Sequence, residues 1–296
     1  MKVAAIIPAR LASSRLPGKL LLADTGKPLI QHTYEAVQDC PGIDLVAVAT
    51  GDHQIRRAVE GFGGLVMLTD PDCPTGTERV RWAAKQLPAS YSYVINVQGD
   101  EPEIDHSSLT ALLARQAGIT TLAAPIYDSA DFERPSVVKV VCGRDSHALY
   151  FSRAPIPFNA SGLDSSPTHR LLGLRHLGIY GFRRSVLDRL GPLNGTTVLD
   201  RWERLEQLSW LEAGERILVT VVALSHPGID VAADYAAFVR RYQQLTGTDL
   251  GIKNAMESCG GPDVTVANPT AEQQQRPGGS LQAKASAPSW PDPGHT

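Results

Sequence analysis

Cysteine is scarce, aromatics make up only 6 % of the chain, and neither sign of charge is in clear excess. The four cysteines among 296 residues, Cys40, Cys73, Cys142 and Cys259, are far apart, with no C-x-x-C pair and no histidine at ligand spacing. This excludes a disulfide framework and a zinc-finger type of site, and fits a reducing, cytoplasmic setting. Lys and Arg number 28 against 31 Asp and Glu, a net charge of −3, so the chain as a whole has no attraction for nucleic acid or for an anionic membrane. No apolar run approaches the ~20 residues of a membrane span. Arg10 falls where the apolar centre of a signal peptide would lie, so neither export nor membrane insertion is expected. The first strand is followed by neither a G-x-x-x-x-G-K-[ST] loop nor a G-x-G-x-x-G fingerprint, which excludes the two commonest glycine-rich phosphate loops. No internal repeat is evident.

What is present is a 43 % apolar chain, ample for a sizeable core. Val3–Ile7 is a short branched run without alternation, the pattern of a strand covered on both faces of a parallel sheet. Helical spacing over Pro28–Gln38, strand pattern over Asp44–Thr50, a helix at His53–Gly61, a short strand at Leu65–Met67 and a helix at Thr77–Leu87 repeat the strand–helix unit. Tyr93–Val97 is expected to be the most central strand, with a helix at Leu109–Gln116 and a strand at Thr120–Ile126 following it. This alternation predicts an α/β fold with a doubly wound, mostly parallel sheet. From Ser136 the texture changes to two alternating strands and a polar loop at Asn159–Thr168, a small mixed-sheet extension covering the site. A strand at His176–Phe182, one helix over Val198–Ala213, a strand at Ile217–Ala223 and a closing helix at Asp234–Leu245 complete one domain of residues 1–245. Residues 246–296 turn to Gly, Pro, Ser and Gln without periodicity, the composition of a disordered tail.

Two stretches carry chemistry. After the first strand, Arg10, Arg15 and Lys19 fall within ten residues, with Ser13 and Ser14 as neutral donors. The loop is either a solvated basic loop or a grip for a small polyanion; its position beyond the carboxyl end of a parallel strand favours the grip. After the central strand, Gln98-Gly99-Asp100 places a carboxylate on the same edge. Asp100 either caps a turn or ligates Mg²⁺, which phosphoryl chemistry holds with one or two carboxylates plus phosphate oxygens. Asp230, after another strong strand, is either the N-cap of the last helix or a second metal carboxylate. Thr75-Gly76-Thr77 reads as a helix entry. His176 and Tyr180 lie four apart on one strand and so share a face, and Glu206-Gln207 is a polar pair among leucines.

Taken in order, PARLASSRLPGKLL, PTGTERV, VINVQGDEP, VVKVV, LYFSRAPIP, RHLGIYGF, LDRWERLEQLSWLEAGERI and PGIDVAAD resemble the 3-deoxy-manno-octulosonate (Kdo) cytidylyltransferase family over residues 1–245. The resemblance implies a nucleotide-diphospho-sugar transferase fold, a homodimer, Mg²⁺ dependence and transfer of CMP from CTP to the anomeric hydroxyl of an eight-carbon acidic sugar, with pyrophosphate released, for lipopolysaccharide. By motif it implies that Pro8, Ala9, Arg10, Ser14, Arg15, Lys19, Thr75, Thr77 and Arg79 contact CTP. It implies sugar contacts from Gln98, Arg153, His176, Tyr180, Glu206 and Gln207, metal carboxylates at Asp100 and Asp230, and catalysis by these two with Arg15 and Lys19. The chain departs from the family at Gly51, where an Asp is common, at Cys73 for a His, at Ser209 for an Arg, and at Val231-Ala232-Ala233 for T-P-E. These departures keep open a different acidic sugar, an amino-Kdo or a nonulosonate, or a catalytically silent nucleotide-sugar binder.

Overall fold

In the computed structural model the described residues are 2–13, 15–160, 171–190, 197–223 and 228–257, with 248–257 described by backbone alone. The chain divides into two compact units, Met1–Tyr242 and Gln243–Thr296, and all that follows except the end of the last helix belongs to the first. Strands β1 (Lys2–Pro8), β2 (Leu45–Thr50), β3 (Val66–Leu68), β4 (Tyr91–Asn96), β5 (Ile119–Ile126), β8 (Gly173–Arg183) and β9 (Ile217–Val221) form the path β3-β2-β1-β4-β8-β5-β9. β6 (Lys139–Cys142) and β7 (Ala148–Ser152) pair with each other, and β6 joins β8. β4 is the middle strand, as its unbroken apolar character predicts. The β1–β2, β2–β3, β1–β4 and β5–β9 pairs are parallel; β8 runs antiparallel to both its neighbours.

The sheet is covered on both faces, which explains why β1 lacks alternation. Ala5 and Ile7 lie in one apolar cluster with Leu29 and Ile30 of α1 (Leu29–Gln38), Ile55 of α2 (His53–Gly61), Leu109 of α4 (His106–Ala114) and Phe238 of α9 (Ala232–Glu257). Ile6 lies in the other, with Val80 and Ala83 of α3 (Gly76–Lys85), Leu187 of α6 (Arg184–Leu190) and Leu208 and Trp210 of α8 (Glu206–Glu212). A short α5 (Ser129–Glu133) follows β5. The doubly wound reading therefore holds, with the later strands forming the mixed part of one sheet.

The short helices α5 and α6 were not among the expected elements, and two expected helices differ in extent. The helix expected over Val198–Ala213 is two helices, α7 (Val198–Glu203) and α8, broken at Arg204, which sits in the left-handed region at φ 53°. No glycine or proline announces the break. It is held from a distance: Arg153 donates through Nε to Glu203 O (2.7 Å) and through Nη2 to Arg204 O (3.4 Å), taking carbonyls that a continuous helix would use. The last helix does not end at Leu245 but runs to Glu257, so residues 246–257 are not the start of an unstructured tail. Those residues contain no proline, the breaker on which the composition of the later tail relies. Residues 258–296 and most of the polar loop expected at Asn159–Thr168 lie outside the described residues.

Candidate active site

The carboxyl ends of β1 and β4 open into one cleft of about 2140 Å³. Its floor is the basic loop. Ala9 N bonds Ala49 O (2.9 Å) and Leu11 N bonds Asp52 Oδ2 (2.8 Å), so the loop leaves β1 in a fixed direction. Gly18, at φ 66°, turns the chain into a 3₁₀ turn at Lys19–Leu21, a conformation a side-chain-bearing residue adopts only at a cost. The turn aims Lys19 at the opposite edge. Its ammonium pairs with the Asp100 carboxylate, donates to Ile229 O (2.7 Å) and lies 3.5 Å from Asp230 Oδ1. Arg15 Nη2 donates to the same Asp230 oxygen at 2.9 Å. Two acids 130 residues apart in sequence thus meet on one lysine.

The segment before α9 is zipped onto the turn after β4, which explains the convergence. Ile229 N bonds Asp100 O (2.8 Å), and Asp234 Oδ2 accepts from Asp230 N and Val231 N at 3.0 Å each. Asp234, not Asp230, is therefore the residue that caps this helix entry. Beneath the pair, burial together with the charges of Asp100 and Asp230 pushes the Glu101 carboxyl up to about 8.

The second wall comes from β8 and α8. A two-residue bulge in β8, where Thr121 faces Tyr180 and Leu122 faces Leu177, preserves the even spacing of His176 and Tyr180, whose ring centroids are 5.3 Å apart. Burial pushes His176 down to about 3, so it is a neutral imidazole. Thr121 Oγ1 donates to Ile179 O (2.8 Å) and so accepts from His176 Nε2 (3.0 Å), leaving Nδ1 as the ring's acceptor. Because α8 starts at Glu206, Glu206 and Gln207 are at a helix N-terminus and both line the cleft. Burial raises the Glu206 carboxyl, against hydrogen bonds from Thr77 and Thr75 that favour its charged form. Tyr180 OH, Glu206 Oε2 and Gln207 Nε2 are buried with no hydrogen-bond partner among the described residues. Three such atoms on one wall are ready for a polyhydroxylated ligand, since buried polar groups are rarely left unpaired.

The family profile described as cytidylyltransferase matches residues 4–217. This chain belongs to the cytidylyltransferase family. A relative from Syntrophobacter fumaroxidans, named 3-deoxy-manno-octulosonate cytidylyltransferase, is 41 % identical over 245 residues, 81 % of this chain and 96 % of that protein. Another, from Shewanella sediminis, is named 8-amino-3,8-dideoxy-manno-octulosonate cytidylyltransferase and is 39 % identical over 241 residues, 79 % of this chain and 96 % of its own. Among solved structures, a CMP:2-keto-3-deoxy-manno-octonic acid synthetase complexed with CTP matches at TM-score 0.74 and 37 % identity, over 82 % of this chain and 99 % of its own.

In this cytidylyltransferase the cleft brings together Pro8, Ala9, Arg10, Arg15, Lys19, Thr75, Thr77, Gln98, Asp100, Arg153, His176, Tyr180, Glu206, Gln207 and Asp230, all expected site residues. Ser14 lies outside the described residues. Arg79 also borders the cleft, and its guanidinium bonds Thr69 Oγ1 (2.6 Å), Asp70 O (3.0 Å) and Pro71 O (3.1 Å), holding the loop that leads to Thr75. Arg153 is likewise engaged, with Glu203 O, Pro135 O and Arg204 O. Sequence reasoning passed over Glu101, beside Asp100, and Arg175, beside His176 and paired with Asp131 at 2.6 Å; adjacency to a motif residue was the available signal in both cases. The departures have local reasons. A Cβ on Gly51 would lie 2.5 Å from Pro71 Cα, so the aspartate common in the family has no room here. Ser209 is fully buried and donates to Glu206 O (2.7 Å), and Cys73 is buried at the cleft edge.

Proposed function

We propose that this cytidylyltransferase transfers CMP from CTP to the anomeric hydroxyl of 3-deoxy-D-manno-octulosonate, giving CMP-Kdo and pyrophosphate for lipopolysaccharide biosynthesis. The observation that carries it is the joint on Lys19, where a basic loop and two carboxylates from distant segments meet, faced across one cleft by His176, Tyr180, Glu206 and Gln207. Arg10, Arg15 and Lys19 would take the triphosphate, screening charge so that the attacking hydroxyl and the leaving pyrophosphate can lie in line with the α-phosphorus. The buried polar atoms of Tyr180, Glu206 and Gln207, with the Nδ1 acceptor of His176, would orient the sugar. The chain needs no covalent intermediate, only positioning of both substrates in one cleft.

Mg²⁺ fits the donor set. Asp100 and Asp230 are partly exposed, hard-oxygen ligands that share one cationic partner, Lys19, and among the described residues no cluster of three or more His, Cys, Asp or Glu forms a complete cage. A two-carboxylate site completed by phosphate oxygens is the usual arrangement for this ion. When bound it would neutralise the phosphates and lower the pKa of a coordinated hydroxyl. Arg15 and Lys19 would then turn from the carboxylates to the phosphates.

Relatives named for the 8-amino sugar stand at nearly the same identity as those named for Kdo, so the amino sugar is the second reading. Pyrophosphate release with CTP and Mg²⁺ against a panel of Kdo, 8-amino-Kdo and a nonulosonate separates them: release requiring Kdo supports the first, release requiring only another sugar moves the specificity, and no release with any sugar leaves a silent binder. Asp100→Ala is expected to cut turnover by several orders of magnitude while leaving the circular dichroism spectrum unchanged; near-normal turnover removes the metal assignment. The same reading places the enzyme in the cytoplasm as a homodimer. Phe158 and Trp202, large apolar side chains that are 87 % and 82 % exposed, support the dimer.

A further inference from the structure

The VVKVV stretch holds a residue that the mechanism above does not use. Lys139 is completely buried, and its ammonium spends all three donors on backbone carbonyls: Val137 O (2.6 Å), Arg153 O (2.6 Å) and Arg134 O (3.1 Å). No carboxylate lies within ion-pair distance of it among the described residues. Burying an ammonium is costly, and an apolar residue of similar volume would stabilise a fold at least as well.

The three carbonyls belong to the segments that wall the cleft beside His176. Lys139 is the register partner of Arg175 on β8, and His176 N bonds Val138 O at 2.8 Å. Arg134, Val137, Arg153 and Arg175 all line the cleft. Arg134 and Arg175 share one acid, Asp131, at 3.0 and 2.6 Å, while Glu203 takes Arg153 N at 2.9 Å and the Ser152 hydroxyl at 2.5 Å. Three guanidinium groups, those of Arg134, Arg153 and Arg175, thus border the cleft next to His176, with Lys139 buried behind them.

We propose that Lys139 is a positioning residue of the sugar subsite, tying the 134–138 segment and the Arg153 backbone into one rigid cationic wall that receives the carboxylate of the acidic sugar. The proposal rests on the function above and concerns one substrate only: the segments Lys139 ties, 134–138 and Arg153, are separate from the basic loop that would hold CTP. A fixed charge in a low-dielectric wall attracts an anion without being reorganised on binding.

The test is steady-state pyrophosphate release by full-length wild type, Lys139→Met and Glu203→Gln, varying CTP and Kdo separately. Glu203→Gln loosens the same wall from its other anchor and covers the case in which Lys139→Met does not fold, as judged by circular dichroism and CTP calorimetry. The expected result is a rise of tenfold or more in KM for Kdo with KM for CTP within about twofold, and partial recovery in Lys139→Arg, which keeps the charge. Equal rises in both KM values, or a fall in kcat alone, would overturn the role of Lys139 and leave the enzyme's function standing. Wild-type release that needs no acidic sugar would overturn the function and this inference together.

Discussion

Gly51 lacks a side chain because the backbone of Pro71 occupies the place where one would go, with Cα 2.5 Å and N 2.6 Å from a built Cβ. Pro71 belongs to the loop that Arg79 grips and that leads to Cys73 and Thr75 at the cleft. Gly51→Ala should therefore cost about 1–3 kcal/mol, the usual range for overpacking a tight site, and a urea titration monitored by tryptophan fluorescence measures it; an unchanged midpoint would mean that the loop yields freely. His176 gives a pH signature. Its native pKa of about 3 lies below the ordinary 6.5, so between these values the unfolded chain binds the extra proton and stability falls as pH drops. The unfolding free energy of wild type should decline between pH 6.5 and 4.5 more steeply than that of His176→Gln, by up to about 1.4 kcal/mol per pH unit. Parallel curves would show that the ring is protonated in the native state. Glu206 and Gln207 were legible in the sequence as a polar pair among leucines, but not their place at the start of a helix, which depends on a break that no local residue signals.

That break sets the lesson for elements. The strand–helix alternation of the first half and the period of its longer helices were plain in the chain, because burial on one or two faces imprints its own periodicity, whereas the short α5 and α6 were not. The division of α7 from α8 was not, because it is imposed by Arg153 from another strand. Arg204 sits at φ 53°, ψ 51°, where a residue with Cβ costs about 1–2 kcal/mol. Arg204→Gly should hold or slightly raise stability, and Arg204→Val should lower it by about that amount in thermal denaturation. The reverse order would show that the side chain, not the backbone, secures the break. α9 teaches the same point at its other end, where a helix expected to stop at Leu245 continues to Glu257. Its first turns are held by tertiary contacts: Tyr235 OH accepts from Asp24 N (3.0 Å), and Phe238 and Tyr242 pack edge-on to His32 at 5.1 and 4.8 Å. These contacts fasten the segment that carries Asp230 to the start of the chain.

For the whole molecule, the sheet order β3-β2-β1-β4-β8-β5-β9 puts β1 and β4 side by side, so the basic loop and the Asp100 turn leave the same edge. The proposed dimer belongs to this scale. Sedimentation equilibrium should give twice the chain mass of 31.8 kDa for wild type and the single mass for Phe158→Asp/Trp202→Asp; a monomeric wild type would retire the dimer. The sequence by itself determined the α/β class, the basic loop after the first strand, the acidic turn after the central one and the membership of the family, because short-range periodicity and strand-end motifs are properties of contiguous residues. Only the tertiary structure decided that Asp100 and Asp230 share Lys19, that Arg79 holds the loop before Thr75 and Arg153 the break after Glu203, that Glu206 opens a helix, and that Lys139 lies buried behind the sugar wall. Each of these depends on which distant backbone atom reaches a side chain first, and that competition is settled by packing.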